Sequence, residues 1–399
     1  MSLAQGRSYL AIPGPSVVPD AVLRAMHRAS PNIYEGELVE MTAGIIPDLR
    51  AVARTQHHVA IYMGNGHAAW EAALSNVISA GDHVLVPSTG RFCVGWGEMA
   101  TGLGAEVELM EFGTKTPMDA DAIETRLRAD KEHRIKAVLA VHVDTSTSIK
   151  NNIAEVRAAL DGAGHPALLM VDCIASLGCD RFEMDAWGVD IMVTASQKGL
   201  MVTPGLGFVF FNDRADAVRA KMTRVSRYWN WTPRANPEKL FEYFGGTAPT
   251  HMLYGLRAAL DMIHAEGLEA VWARHETLAR AYWAACEAWG QGGPLTLNVA
   301  DRAHRSHAVT ALRLGAPHGT GLRRWTEHQA GMTLGIGLGM SEEGDPNGDG
   351  FFRIGHMGHV NAHMVLGTIA TMQAGFDALG LPYGAGALDA ATKVISGKA

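Results

Sequence analysis

The chain is expected to be an α/β protein. Its large domain would hold a mostly parallel seven-stranded sheet, with one antiparallel strand, covered by helices, and a smaller C-terminal α+β domain would follow. Three observations carry this expectation. From about residue 50 to 215, short continuous apolar runs alternate with longer segments of helical period, the pattern of strands buried on both faces. After about residue 255 the pattern shifts to long helical stretches and a few strand-like pieces. The chain has 399 residues, 47% hydrophobic and 19% charged, enough for more than one core.

The strand segments, in order, are "HVAIYMG", "HVLVPS", "AEVELMEFG", "KAVLAVHVD", "ALLMVD", "DIMVTAS" and "GFVFFND". Helical patterns such as "HAAWEAALSNVIS" and "IAEVRAALDGAG" separate them. The last strand follows a Pro-Gly turn closely, which suits an antiparallel return. A long helical stretch runs from about His251 to Trp289 with a soft break near Gly267. Then come "SHAVTALRLG", "MTLGIGLG" and "FFRIGHMG", and a final helix from about Asn361 to Leu379. The boundaries read as an arm over 1–20, a large domain over 21–255 and a small one over 256–399.

Composition narrows the function. A formal charge of −7 with no Lys/Arg cluster argues against nucleic acid as a partner. No run of about 18 apolar residues suggests a membrane span. The opening "MSLAQGRSYLAIPGPS" has no basic segment followed by a long apolar one, so no signal peptide is expected. Four cysteines (Cys93, Cys173, Cys179 and Cys286) share no CxxC spacing and read as reduced thiols of a cytoplasmic protein. No zinc spacing connects His304, His307, His356, His359 and His363, so no metal is expected, although His356 and His359 adjoin Arg353. "DPNGDG", from Asp345, imitates an EF-hand start but has His356 at its twelfth position, and reads as a tight turn.

Three strand ends carry chemistry. In "TASQKGLMVTPG", Lys198 stands at the end of a buried strand. It is either a solvated loop lysine or an amine in a dry pocket, able to lose its proton and attack a carbonyl. "ALLMVDCIASLG" ends a strand on Asp172, which is either a cap for the next turn or a partner for a protonated pyridine nitrogen. "YMGNGHAAWEAAL" is a strand, a glycine turn and a helix start, where backbone N–H groups can hold a phosphate. It also fits G-x-G-x-x-A, but no acid closes the next strand to bind a ribose. All three fall at the carboxyl edge of the sheet, where ligands of open α/β sheets bind, and match the ring nitrogen, aldehyde and phosphate of pyridoxal phosphate.

With these residues in place, the chain resembles a class V, fold type I aminotransferase of the alanine/serine–glyoxylate (serine–pyruvate) group. The matching pieces are "PGPSVVP", "GNGHAAWEAAL", "DTSTS", "VDCIASLG", "SQKGL" followed by "TPG", "GTAPTHMLYGLRAAL" and "FFRIGHMG". The resemblance implies Lys198 as the Schiff-base lysine and Asp172 as the partner of the pyridine nitrogen. It implies Gly66, His67 and Gln197 as phosphate ligands, Ser146 near the ring hydroxyl, and Phe92 stacked on the ring. Tyr243 and Thr247, in "YFGGTAP", would reach the phosphate of a neighbouring subunit in a homodimer. Arg353 would clamp the substrate carboxylate, as its planar fork suits, unless it pairs with a nearby Asp. The sequence departs from the resemblance at Ser148, where relatives often have glycine, and in "SPNIYEGELVEM". Tyr34, Glu35 and Glu37 of that segment would read the donor's side chain.

The expected activity is transfer of an amino group from an alanine- or serine-type amino acid to a small 2-oxo acid such as glyoxylate or pyruvate, with pyridoxal 5′-phosphate as cofactor. Alternatives are a different amine donor or a lyase on the same scaffold. A desulfurase, a non-catalytic small-molecule binder and a dinucleotide oxidoreductase rank lower: no cysteine follows Cys286, a mere binder would not need Lys198, and the ribose acid is missing.

Overall fold

The computed structural model describes residues 2–398. The strands are β1 (Tyr9–Ala11), β2 (His58–Gly64), β3 (His83–Ser88), β4 (Glu106–Glu111), β5 (Ile135–Val141), β6 (Leu168–Asp172), β7 (Ile191–Ala195), β8 (Gly205–Phe211), β9 (Thr296–Leu297), β10 (Val309–Arg313), β11 (Met332–Ile336) and β12 (Phe351–Gly355). They form a seven-stranded sheet in the order β2-β8-β7-β6-β5-β3-β4 and a five-stranded sheet in the order β1-β11-β12-β10-β9.

The large sheet contains the seven strands expected from the apolar runs. Its pairs are parallel except that β8 runs antiparallel to both β2 and β7. Every residue of β6 and β7 is buried, as a central strand covered by helices on both faces requires. At the edge, β4 keeps Glu106, Glu108 and Glu111 on its partly exposed length, and charge there discourages pairing with another sheet. Asparagine and aspartate side chains start several helices. Asn65 accepts from His67 and Ala68 N–H to open Gly66–Val77, and Asn361 accepts from Met364 N–H to open Ala362–Leu379. The soft break at Gly267 is real: helices Thr250–Glu266 and Leu268–Gly290 meet there at φ +85°, a conformation that glycine adopts without strain.

In the second sheet β10, β11 and β12 are the three pieces expected in the C-terminal region. β1 is not local to them: Tyr9–Ala11, within the expected arm, pairs parallel with Met332–Leu334 of β11. The chain then passes from β1 through Ile12–Ser16 towards the turn that holds Lys198. A Cβ added at Gly355, at the end of β12, would stand 2.6 Å from Pro13 N, so only glycine lets the segment pass so close. Helices His318–Ala330 and Ala387–Ile395 complete this part of the chain.

"DPNGDG" is a turn between β11 and β12. The Asp345 carboxylate accepts from Asp349 N–H at 2.8 Å and Gly350 N–H at 2.7 Å, spending its oxygens on its own loop. Among the described residues no group of three or more His, Cys, Asp or Glu could hold a metal ion, and no helix is long and apolar enough to cross a membrane. All four cysteines are free and buried.

Candidate active site

Two adjacent parallel strands deliver the central pair. β6 ends on Asp172, and the turn after β7 carries Lys198. Asp172 is only 3% exposed, yet no lysine or arginine pairs with it among the described residues. Its oxygens accept from Ile174 N–H at 2.6 Å and from the indole N–H of Trp70 at 2.8 Å. Burial pushes its carboxyl up to about 7. The two N–H donors pull the other way, the charge on Asp144 adds to the rise, and Lys198 opposes it. The Ile174 bond satisfies the cap reading, but a cap alone does not need a carboxylate buried this deeply.

Lys198 is half-buried, and its Nζ donates to the carbonyl of Pro13. The N-terminal segment is tied to the same turn: Ser16 N–H donates to Gln197 O, and Ser16 Oγ donates to Lys198 O, both at 2.8 Å. Burial, and after it the positive charge of Arg353, lower the amine to about 8, while Asp172 opposes. A lysine so placed has a sizeable neutral fraction near neutral pH, which a solvated loop lysine lacks.

Arg353 lies on β12 and is 6% exposed. Its Nε donates to Ile336 O at 2.7 Å and its Nη1 to Thr145 O at 2.9 Å. Both partners are carbonyls. No carboxylate pairs with it among the described residues, so the alternative of an Arg spent on a nearby Asp does not hold. Burial lowers it to about 10, leaving it cationic at neutral pH.

Ser146 and Phe92 converge on Asp144, which the motif reading did not single out. Asp144 Oδ2 accepts from Phe92 N–H at 2.9 Å and Cys93 N–H at 3.2 Å, at the start of helix Arg91–Gly102. Its Oδ1 accepts from Ser146 N–H at 2.9 Å and Ser146 Oγ at 2.6 Å. The signal was available: Asp144, like Asp172, closes a largely apolar run, here "KAVLAVHVD". Ser148, at the expected glycine, adopts φ +62°. The left-handed turn is thus kept with a serine, whose Oγ accepts from Ala311 N–H at 3.1 Å and so ties the loop to β10.

Gln197 Oε1 is buried without a partner, the state of a polar group waiting for a ligand. Gly66 opens its helix under Ile174, whose Cγ1 would lie 3.2 Å from an added Cβ. The N–H of His67 is already capped by Asn65 at 3.1 Å, which narrows what this helix start can offer a phosphate. His67 packs edge-on against Trp70 at 4.6 Å. Tyr243 is half-buried in helix Leu240–Phe244, and Thr247 is exposed just beyond it. Tyr34 is 88% exposed, Glu35 accepts from Asn32, and Glu37 pairs with Arg28 at 3.1 Å. Tyr34, Tyr243 and Thr247 therefore make none of the contacts that join Lys198, Asp172, Asp144 and Arg353. His356 is buried between Thr310 Oγ1 and His307 O, both at 2.9 Å, and burial takes it down to about 3.

The model of the class V aminotransferase family matches residues 9–324. The chain belongs to the class V aminotransferases. Among curated members it is 37% identical to a serine–glyoxylate aminotransferase of Methylorubrum extorquens, over 92% of this chain and 90% of that protein. It is 36% identical to an L-aspartate–glyoxylate aminotransferase of Paracoccus denitrificans, over 93% and 91%. Among solved structures, the ureidoglycine–glyoxylate aminotransferase of Bacillus subtilis superposes with a TM-score of 0.86 at 27% identity, covering 99% of this chain and 100% of that one. Class V membership makes this chain an enzyme that transfers amino groups, and its large sheet is that of the aminotransferase fold.

Proposed function

We propose that this aminotransferase moves the amino group of a small neutral amino acid, of the serine or alanine type, to a small 2-oxo acid such as glyoxylate, with pyridoxal 5′-phosphate as its cofactor. The observation that carries the reading is the pair at the ends of β6 and β7: a buried carboxylate without a cation beside a lysine whose amine is partly neutral.

The residues present fit that cofactor. Asp172 would hold its ring nitrogen and lacks only a cationic partner; Gly66, His67 and the side-chain amide N–H group of Gln197 would hold the phosphate. Phe92 would stack on the ring, with Ser146 near its hydroxyl. Tyr243 and Thr247 would serve the phosphate of a second copy in a homodimer, and the 48% exposure of Phe241 on the same segment supports a covered surface there. When bound, the cofactor supplies an electron sink, a cationic ring that accepts the electron pair left at the substrate Cα.

The chain's own residues do the rest. Arg353 holds the substrate carboxylate by its guanidinium, whose carbonyl partners leave its charge unneutralised. Lys198 Nζ, lowered to about 8, takes the Cα proton, because an amine with a value near ambient pH is neutral in part and still strong enough a base to do so. The Pro13 carbonyl orients that amine between turns. Asp172, kept by its N–H donors as an acceptor, stabilises positive charge at the ring nitrogen.

The choice of a neutral donor rests on Glu35, whose carboxylate would repel a second carboxylate where its segment meets the substrate; Glu37 is already paired with Arg28. A panel of amino donors with glyoxylate tests this. Serine and alanine are expected to exceed aspartate by about tenfold in kcat/KM, or 1.4 kcal/mol. Aspartate as the best donor would overturn the choice of donor while leaving the reaction class intact.

A further inference from the structure

The indole of Trp70 is fixed on all sides that the structure records. Trp70 is 1% exposed, on helix Gly66–Val77. It stacks on Trp96 at 6.0 Å with planes 15° apart, and it meets His67 and Phe92 edge-on at 4.6 and 6.3 Å. A Cβ at Gly95 would lie 3.5 Å from its ring. From this position Nε1 reaches Asp172 Oδ2 at 2.8 Å, across 102 residues of sequence.

An indole N–H is a donor only. The second oxygen of Asp172 already accepts from Ile174 N–H. Both donors therefore favour the carboxylate over the acid, and neither competes for the positive charge the carboxylate is left to serve. A lysine or arginine in Trp70's place would have neutralised Asp172, and an apolar ring would have left one oxygen bare in a buried site.

We propose that Trp70 is a positioning residue of the amino-transfer site, holding the Asp172 carboxylate in place as the acceptor for a cationic ring nitrogen. The inference rests on the reading of Asp172 given above. Trp70 touches no reacting atom in it and acts through Asp172.

A double-mutant cycle on the holoenzyme tests this. Trp70→Phe keeps the aromatic packing and removes the N–H. Its kcat, read from the rate of the first half-reaction, is expected to fall about tenfold, as loss of a hydrogen bond to a charged group predicts. KM should stay within twofold, because Arg353 holds the substrate. In the Asp172→Asn background the same change should cost less than twofold. Trp70→His, which restores a ring N–H, should have a kcat between those of wild type and Trp70→Phe; if Trp70→Phe folds poorly, Trp70→Leu takes its place in the cycle and in this comparison. Equal losses from Trp70→Phe in both backgrounds would overturn this inference alone, as would a Trp70→His variant no faster than Trp70→Phe. Asp172→Asn at the wild-type rate would overturn the reading of Asp172 and the inference with it.

Discussion

Arg353 Nη1 donates to the Thr145 carbonyl at 2.9 Å, so the proposed carboxylate clamp also ties strand β12 of the C-terminal sheet to the loop after β5. Thr145 follows Asp144, which caps the start of helix Arg91–Gly102. The Arg353 guanidinium is thus pre-positioned by backbone carbonyls of β11 and of the loop after β5. Its Nε and Nη1 donate to Ile336 and Thr145, and no carboxylate pairs with it among the described residues.

Arg353→Lys keeps the charge and loses the fork. KM for both donor and oxo acid is expected to rise about tenfold, or 1.4 kcal/mol, because a bidentate contact becomes a point contact. One of the two carbonyls also loses its donor, so stability should drop by about 1 kcal/mol. Cofactor affinity should hold. Normal KM values would remove Arg353 from the substrate site.

Asp172 gives a pH-dependent stability of known sign. Its folded-state value, about 7, lies above the unfolded value near 3.8, so between these the folded apoprotein binds a proton that the unfolded chain does not. Stability from this group is fully present below about pH 4 and is lost as pH rises through 7, by up to about 4 kcal/mol. Asp172→Asn removes the titration. Urea unfolding of both apoproteins should show the variant gaining on wild type from pH 4 to pH 8. A difference that stays flat over that range would show that Asp172 is ionised throughout.

Much of the fold is legible in the sequence because the large sheet is built from strands buried on both faces. "ALLMVD" and "DIMVTAS" can hardly be anything else; the first ends on Asp172 and the second leads, two residues on, to Lys198. The antiparallel β8 is announced by its Pro-Gly turn. β1 is not legible: three residues, Tyr9–Ala11, gain their identity from Met332–Leu334 more than 300 positions away. The Trp70–Asp172 bond is hidden for the same reason. In "HAAWEAAL" a tryptophan reads as one more apolar helix residue, and only the tertiary fold brings its N–H to a carboxylate. Ser148 shows the reverse case: the departure from glycine is visible, but its retained left-handed backbone is not.

Gly14 follows Pro13, whose carbonyl accepts from the lysine. It has φ +97°, and an added Cβ would lie 2.6 Å from Lys198 Cδ. Gly14→Ala should cost about 1–3 kcal/mol in backbone strain and displace the amine. Amino transfer is expected to fall at least tenfold, with the protein still folded. Gly44→Ala is the control: nothing lies within 4 Å of its added Cβ in helix Glu37–Ala53, so it should be neutral or stabilising by up to about 1 kcal/mol. Equal activity in both variants would separate Gly14 from the site.

The central claim is that Lys198 is the amine that joins the cofactor's aldehyde carbon and moves the substrate proton. Loss of activity in a lysine variant has many causes, so the linkage itself is the better measurement. The holoenzyme is reduced with borohydride and digested, and the peptides are weighed. The peptide carrying Lys198 should gain the mass of one reduced cofactor, with a yield that follows the loss of activity. A cofactor mass on another lysine, or none on any peptide from an active preparation, would contradict the account.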